Sequence, residues 1–307
     1  MLEAALIVDN VTKRYGERVA VEGLSFATAP GAVYGVLGPN GAGKSTTMRM
    51  VVGVLKPDAG MVRVFGQTPR IGKLPRVGYL PEERGLYRSM TPLALITYFA
   101  RLKGMSATDA RMRAATLLAE YGLAEWGARK VKALSKGMAQ KVQILATIAH
   151  EPDLLLLDEP FSGLDPINQQ AVEAMIRAAA ANGKTVLFST HVMEHAERMC
   201  DRILLIAHGK ALFEGPVAEA LAKTPRAALL ETEGGYDLAA ALAPSGFVAL
   251  ADGEEDGRRR WRVALDTPDA SRRLLAACAA IGAPLALYEP QRATLHDAFM
   301  RMVGYAP

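Results

Sequence analysis

Residues 38–46 read Gly-Pro-Asn-Gly-Ala-Gly-Lys-Ser-Thr: a glycine, four residues, then Gly43-Lys44-Ser45. An apolar run, Val33 to Leu37, precedes the stretch and helix formers follow it, so it reads as the loop between a strand and a helix. Glycines there let backbone N–H groups curl around phosphate oxygens. A helix starting near Lys44 points its positive dipole end at the same oxygens. Lys44 adds a point charge near the β- and γ-phosphates, and the Ser45 hydroxyl suits Mg²⁺. The nine residues Gly38, Pro39, Asn40, Gly41, Ala42, Gly43, Lys44, Ser45 and Thr46 are therefore expected to hold a nucleoside triphosphate, and the chain to be α/β.

At 307 residues the chain has room for more than one domain. Half the residues are apolar and 22% are charged, which excludes a disordered chain. The net charge of +4 is mild, and no basic stripe with interleaved aromatics points to nucleic acid. Cys200 and Cys278 are too few for a disulfide framework and fit a reducing, cytoplasmic setting. Glu3 and Asp9 near the N-terminus argue against a signal peptide, and no apolar run approaches the roughly 20 residues of a membrane span.

Alternation predicts strands over 5–12 and 18–28, turned at Gly16, then strands at Met61–Phe65 and 76–80. From Pro92 to Gly122 the pattern turns helical, and another helix is predicted over 138–150; about 88–150 reads as an inserted helical subdomain. Two apolar strands, Leu154–Leu157 and Thr185–Ser189, follow with a helix between them, as in a parallel sheet. Arg202–Ala207 and Ala211–Phe213 make a hairpin. A break at Lys223-Thr224-Pro225 separates residues 1–222 from 225–307. Beyond it, strands over 226–232, 246–250, 258–265 and 284–289 with helices over 236–243 and 268–281 predict a small α+β, ferredoxin-like domain. The mixed charges of Glu254–Arg260 read as a solvated hairpin tip in preference to a docking patch.

The strand Leu154–Leu157 ends in Asp158-Glu159. Asp158 is placed to hold Mg²⁺, and Glu159 to polarise an attacking water. With these motifs in order, residues 1 to about 220 resemble the ATP-binding subunit of an ATP-binding-cassette (ABC) transporter. The resemblance implies an ATPase that uses ATP and Mg²⁺. Leu134-Ser135-Lys136-Gly137-Met138 stands where that family has its signature, with Lys136 for the usual glycine and Met138 for the usual glutamine. The resemblance implies that Ser135 and Gly137 face the ATP of a second subunit, and that Asp165 of Ser162-Gly163-Leu164-Asp165 crosses the dimer interface. It makes His191 the switch residue on the γ-phosphate and Tyr15 the aromatic that stacks on adenine. Gly78-Tyr79-Leu80-Pro81-Glu82 aligns with the family's Q-loop, with Glu82 where glutamine is usual; a carboxylate also ligates Mg²⁺. His150, His195, His208 and His296 match no motif. Residues 225–307, with Thr294–Phe299 as a closing helix, resemble the accessory domain of sodium-extrusion and multidrug-export subunits.

The implied protein sits on the cytoplasmic face of the membrane, paired with an integral membrane permease. It forms a homodimer or a heterodimer with a second ATP-binding subunit, and powers export by ATP-driven closure. The alternatives are a soluble ABC protein outside transport, and an ATP-gated dimerisation module with weak hydrolysis, which Glu82, Lys136 and Met138 favour and the intact Glu159 and His191 oppose.

Overall fold

The computed structural model describes residues 4–83, 85, 87–224, 226–267 and 269–304. Glu3, Arg84 after Glu82, Pro225 at the expected break and 305–307 lie outside the described residues. The chain divides into two compact units, Met1–Val217 and Ala218–Pro307.

The first unit opens with β1 (Leu6–Tyr15) and β2 (Arg18–Thr28). They turn at Gly16, whose φ of +59° suits glycine. β3 (Val33–Leu37) then enters the glycine-rich loop, and α1 (Lys44–Val51) leaves it. β4 (Ala59–Val64) joins the other edge of β1, making an antiparallel sheet of order β2-β1-β4.

After β5 (Val77–Leu80) comes the helical block: α2 (Pro92–Leu102), α3 (Ala107–Glu120) and α4 (Lys136–Ile148). The helical stretch from Pro92 to Gly122 is thus two helices, parted where Gly104 takes a φ of +99°. The Ser106 hydroxyl caps the second by accepting from the Asp109 N–H at 3.1 Å. α4 starts two residues before the predicted helix because Ser135 caps it. Leu95, Ile96 and Ala100 bury one face of α2, whereas Tyr98, Leu102 and Met112, which belong to the apolar pattern, are exposed. A helical repeat of 3.6 carries positions 98 and 102 away from the buried face.

β6 (Leu154–Asp158), α5 (Pro166–Ala181), β7 (Thr185–Thr190), α6 (Met193–Met199), β8 (Arg202–Ala207) and β9 (Lys210–Pro216) complete the unit. The larger sheet runs β5-β6-β7-β3-β8-β9, parallel from β5 to β8 with β9 antiparallel at the edge. Every residue of β3, β6 and β7 is buried, as continuous apolar runs require in a sheet covered on both faces. Tyr34, Val36, Leu156, Leu187 and Leu204 lie in the core between this sheet and β1–β2. α7 (Val217–Ala222) straddles the division of the chain.

The second unit reads βαββαβ and then a last helix: β10 (Arg226–Glu233), α8 (Leu238–Leu242), β11 (Ala249–Glu255), β12 (Arg258–Leu265), α9 (Ala270–Ala280), β13 (Leu285–Gln291) and α10 (Leu295–Met302). Its sheet, β11-β12-β10-β13, is antiparallel throughout, with the first strand central, as in a split βαβ arrangement. β11 starts later than expected because Ala243–Ser245 forms a 3-10 turn first. The charges of Glu254–Arg260 pair across the hairpin: Arg259 with Glu254 at 3.7 Å and Arg260 with Glu255 at 2.7 Å. Leu230, Leu238, Leu242, Val263 and Leu274 form this unit's own core with Trp261. There the Trp261 indole donates to the Thr232 hydroxyl at 2.8 Å, both residues being buried. Trp261→Phe should cost about 1–3 kcal/mol by leaving that hydroxyl unpaired. Adding Thr232→Val should return most of the loss, measured by calorimetric unfolding of the two variants.

Candidate functional site

Four adjacent strands, β5, β6, β7 and β3, end on the same edge of the larger sheet, and each releases a segment of the expected site. This is the carboxyl edge at which open α/β sheets bind ligands. In register, Leu80 pairs with Leu157, Asp158 with Ser189, and Leu37 with Thr190. The Ser189 hydroxyl donates to Asp158 Oδ1 at 2.6 Å and accepts from the Glu159 N–H at 2.9 Å. Ser189 thereby fixes both carboxylate residues, a role that sequence reasoning missed although it stands at the end of the strand before His191.

The glycine-rich loop is held closely by its neighbours. A Cβ at Gly38 would overlap the Ile206 carbonyl oxygen, and one at Gly43, where φ is +107°, would lie 2.6 Å from the Ala20 carbonyl oxygen. Gly43 offers no side-chain cap to α1, so the first-turn N–H groups remain available to an anion. Lys44, 5% exposed, donates to the carbonyls of Gly38 at 2.8 Å and Pro39 at 3.2 Å. Its ammonium also lies 3.3 Å from Glu159 Oε1.

Glu159 is 6% exposed and adopts a φ of +48°, a conformation that costs about 1–3 kcal/mol outside glycine and gathers at functional sites. Its Oε2 lies 3.0 Å from Nδ1 of His191, whose side chain is 46% exposed. Its Oε1 makes the ion pair with Lys44 but no hydrogen bond. Beside it, the Ser45 hydroxyl stands 3.2 Å from Asp158 Oδ1 and 3.4 Å from Glu82 Oε2, so three oxygens converge.

Of these groups, Lys44, Ser45, Glu82 and Glu159 line a cleft of about 410 Å³. Tyr15, Arg18, Asn40, Thr46 and Glu82 are among its walls. Tyr15 is half exposed, and the Lys13 ammonium stands 5.9 Å from its ring centroid while pairing with Asp58 at 2.9 Å. Arg18 belongs to none of the sequence motifs; its place just past the Gly16 turn from Tyr15 is the signal that marks it. Ser135, Gly137 and Asp165 are not among the walls. Instead Ser135 caps α4 by accepting from the Met138 N–H at 3.3 Å, and Asp165 caps α5 by accepting from the Asn168 N–H at 2.9 Å. Asp165 also accepts from the Asn168 side chain at 2.7 Å, and that side chain fills the space beside Gly137. The Lys136 ammonium lies against Gly163. The signature and the 162–165 segment thus form one assembly, away from the cleft. The other histidines divide: His195 is buried, and His150 Nε2 stands 3.2 Å from the Val77 carbonyl.

The fold and these motifs are those of an ABC cassette, and the ABC transporter family profile matches residues 21–162. The chain is 34% identical over 316 residues to the daunorubicin resistance ATP-binding protein DrrA3 of Streptomyces coeruleorubidus, spanning 99% of this chain and 97% of that one. It is 37% identical over 312 residues to the Nod factor export ATP-binding protein I of Burkholderia orbicola (strain AU 1054), spanning 96% and 95%. A solved ATP-binding subunit of an ABC transporter matches with a TM-score of 0.65 at 30% identity, covering 71% of this chain and 92% of that one. The chain belongs to the ABC transporter family as an ATP-binding subunit. Members of that family bind ATP and hydrolyse it to power transport.

Burial raises the Asp158 carboxyl above its ordinary range, against hydrogen bonds from Ser189 and Ser45; the charges of Glu82 and Glu159 push it further up. A carboxyl raised on folding contributes stability below its unfolded pKa and loses it as pH climbs through the folded value. Near neutral pH the ionised Asp158 therefore costs stability in the nucleotide-free chain. Asp158→Asn should raise Tm at pH 7.5. The gain should shrink as pH falls into the carboxylate range, in thermal scans at several pH values, and ATPase activity should be lost.

Proposed function

We propose that this chain is the ATP-hydrolysing subunit of an exporter, acting as a head-to-tail dimer on the cytoplasmic face beneath a separate membrane permease. The observation that carries the reading is the continuous contact from Lys44 to Glu159 to His191, at 3.3 and 3.0 Å, of which Lys44 and Glu159 line the cleft. ATP is the substrate. Loop N–H groups and the start of α1 bind its phosphates, and Tyr15 stacks on the adenine. A triphosphate competes with Glu159 for the Lys44 ammonium, so binding frees the carboxylate. Glu159, still oriented by His191, then takes the proton of the attacking water, and Lys44 and His191 stabilise charge on the γ-phosphate.

Ser45, Asp158 and Glu82 are suited to hold magnesium. Cis ligands of an octahedral ion at 2.0–2.1 Å stand about 3 Å apart, close to the spacing of the three oxygens, and oxygen donors are those Mg²⁺ takes. Bound there, the ion supplies positive charge to the β- and γ-phosphates. Glu82 adds a carboxylate to a set that already contains Asp158, so the site binds the ion more tightly than a glutamine at that position would.

Ser135 and Gly137 lie outside the cleft, which supports their completing the site of a second chain, with Asp165 at the same interface. Tyr87, Tyr98 and Leu102 are exposed on and beside α2, following the loop after Glu82. Tyr87 and Tyr98 meet edge to face at 5.9 Å. An apolar aromatic surface next to the metal-side loop suits the cytoplasmic loop of a permease. Among the described residues no helix is long and apolar enough to cross a membrane, so the spanning part of the assembly is assigned to that partner. Export is the direction that the name of the Burkholderia orbicola relative gives for its own system.

Glu159→Gln should lower kcat for phosphate release by about 10²–10⁴-fold, the worth of a positioned general base. It should also yield an ATP-dependent dimer in light scattering. Turnover equal to the wild type's would rule out Glu159 as the general base.

A further inference from the structure

His195 belongs to no motif of the family and does not touch the cleft, yet it is 3% exposed and sits between the two segments that hold Glu159. Its ring stacks on Phe161, centroids 4.1 Å apart and planes at 21°. Phe161 is two residues past Glu159 and meets Phe188 of β7 edge to face at 5.8 Å. Nδ1 of His195 lies 2.9 Å from Glu173 Oε1 on α5, and Arg198 donates to the same oxygen at 2.5 Å.

Arg198 can only donate, so Glu173 Oε1 accepts from it, and the same carboxylate oxygen accepts from Nδ1 of His195 in the tautomer that carries its proton there. Arg198 also lies 3.2 Å from Nδ1, but two donors make no bond there. The imidazole is thus fixed in one plane by a buried carboxylate, with its face against Phe161.

A leucine would fill a purely apolar contact without a buried carboxylate partner. A ring held by Glu173 does more, because of where it stands. His195 lies on α6, four residues after His191, which precedes that helix and whose Nδ1 contacts the Glu159 carboxylate. Phe161 is in the same turn as Glu159, where Ser162 N–H donates to the Glu159 carbonyl at 3.1 Å. On the far side, Gln140 donates to the Pro160 carbonyl at 3.0 Å. One side chain therefore bears on Glu159 both through its backbone turn and through the start of α6, which follows directly on the segment carrying His191.

We infer that His195 is a positioning residue for ATP hydrolysis, holding the 159–161 turn and the His191 segment in a fixed relation by stacking on Phe161. This rests on Glu159 acting as the base and His191 as its partner. A displacement of the base alters the chemical step and leaves nucleotide binding alone, since His195 is not a wall of the cleft.

Three variants of the full-length chain separate this from core packing: His195→Phe keeps the ring and loses the hydrogen bond, His195→Gln keeps a donor and loses the ring, and His195→Ala loses both. Steady-state ATPase kinetics are normalised to nucleotide-competent chains, counted by titration with a fluorescent ATP analogue. Gln and Ala are expected to lower kcat about tenfold with KM for ATP within about twofold, and Phe to restore most of the loss. Equal kcat per competent chain in all three, equal losses in Phe and Gln, or an active Gln beside an inactive Phe overturns the inference. A Glu159→Gln control run alongside tests the underlying roles separately: if its turnover matches the wild type's, those roles fail, whatever the ranking at His195.

Discussion

Hydrogen bonding between β6 and β7 sets Asp158 opposite Ser189, and between β7 and β3 it sets Leu37 opposite Thr190. A slip of one residue in either pairing would turn alternate side chains to the other face of the sheet and dissolve the constellation. Buried strands on both sides make such slips costly, since each exchanges packed leucines for gaps. The glycine-rich loop, the Asp158–Glu159 pair and His191 are far apart in sequence. Parallel register alone brings them within hydrogen-bonding reach, and it leaves the carboxyl edge of the sheet facing open space.

That edge carries an unbalanced charge. Asp158, Glu159 and Glu82 gather around Ser45 and Lys44, and the Lys44 ammonium is buried against Glu159. A buried ion pair gains little net stability, because desolvation offsets its attraction. Under the proposed function, it suits a ligand that brings both signs, a triphosphate with its divalent cation. The strained backbone of Glu159 and the raised Asp158 carboxyl belong to the same trade, in which stability is given up where chemistry is done.

Much of this was legible in the sequence because local patterns encode it. Gly38–Thr46 lies between an apolar run and helix formers, and Leu154–Leu157 ends in two carboxylates. The order of these segments identified a parallel sheet before any pairing was known. What escaped depends on register and burial. Ser189 matters because β7 places it opposite Asp158, and Arg18 because β2 folds back beside Tyr15. His195 carried no signal of its own, since the aromatic on which it stacks and the carboxylate that it contacts are 34 and 22 positions away in the chain. Tyr98 and Leu102 belonged to an apolar pattern whose far side is exposed. In the second unit, the strand alternation was sufficient for the βαββαβ order, but the 3-10 turn at Ala243–Ser245 delayed β11.

Completion of one chain's cleft by Ser135 and Gly137 of another is the centre of the proposed mechanism. Mixing two inactive chains tests it most directly: Lys44→Ala, which retains the signature, and Ser135→Arg, which retains the glycine-rich loop. Head-to-tail pairing gives the mixed dimer one intact composite site, so ATPase activity is expected to reappear on mixing and to rise as the two chains approach equal amounts. Activity that never exceeds the sum of the two separate chains, while light scattering shows mixed dimers forming, would contradict a shared site.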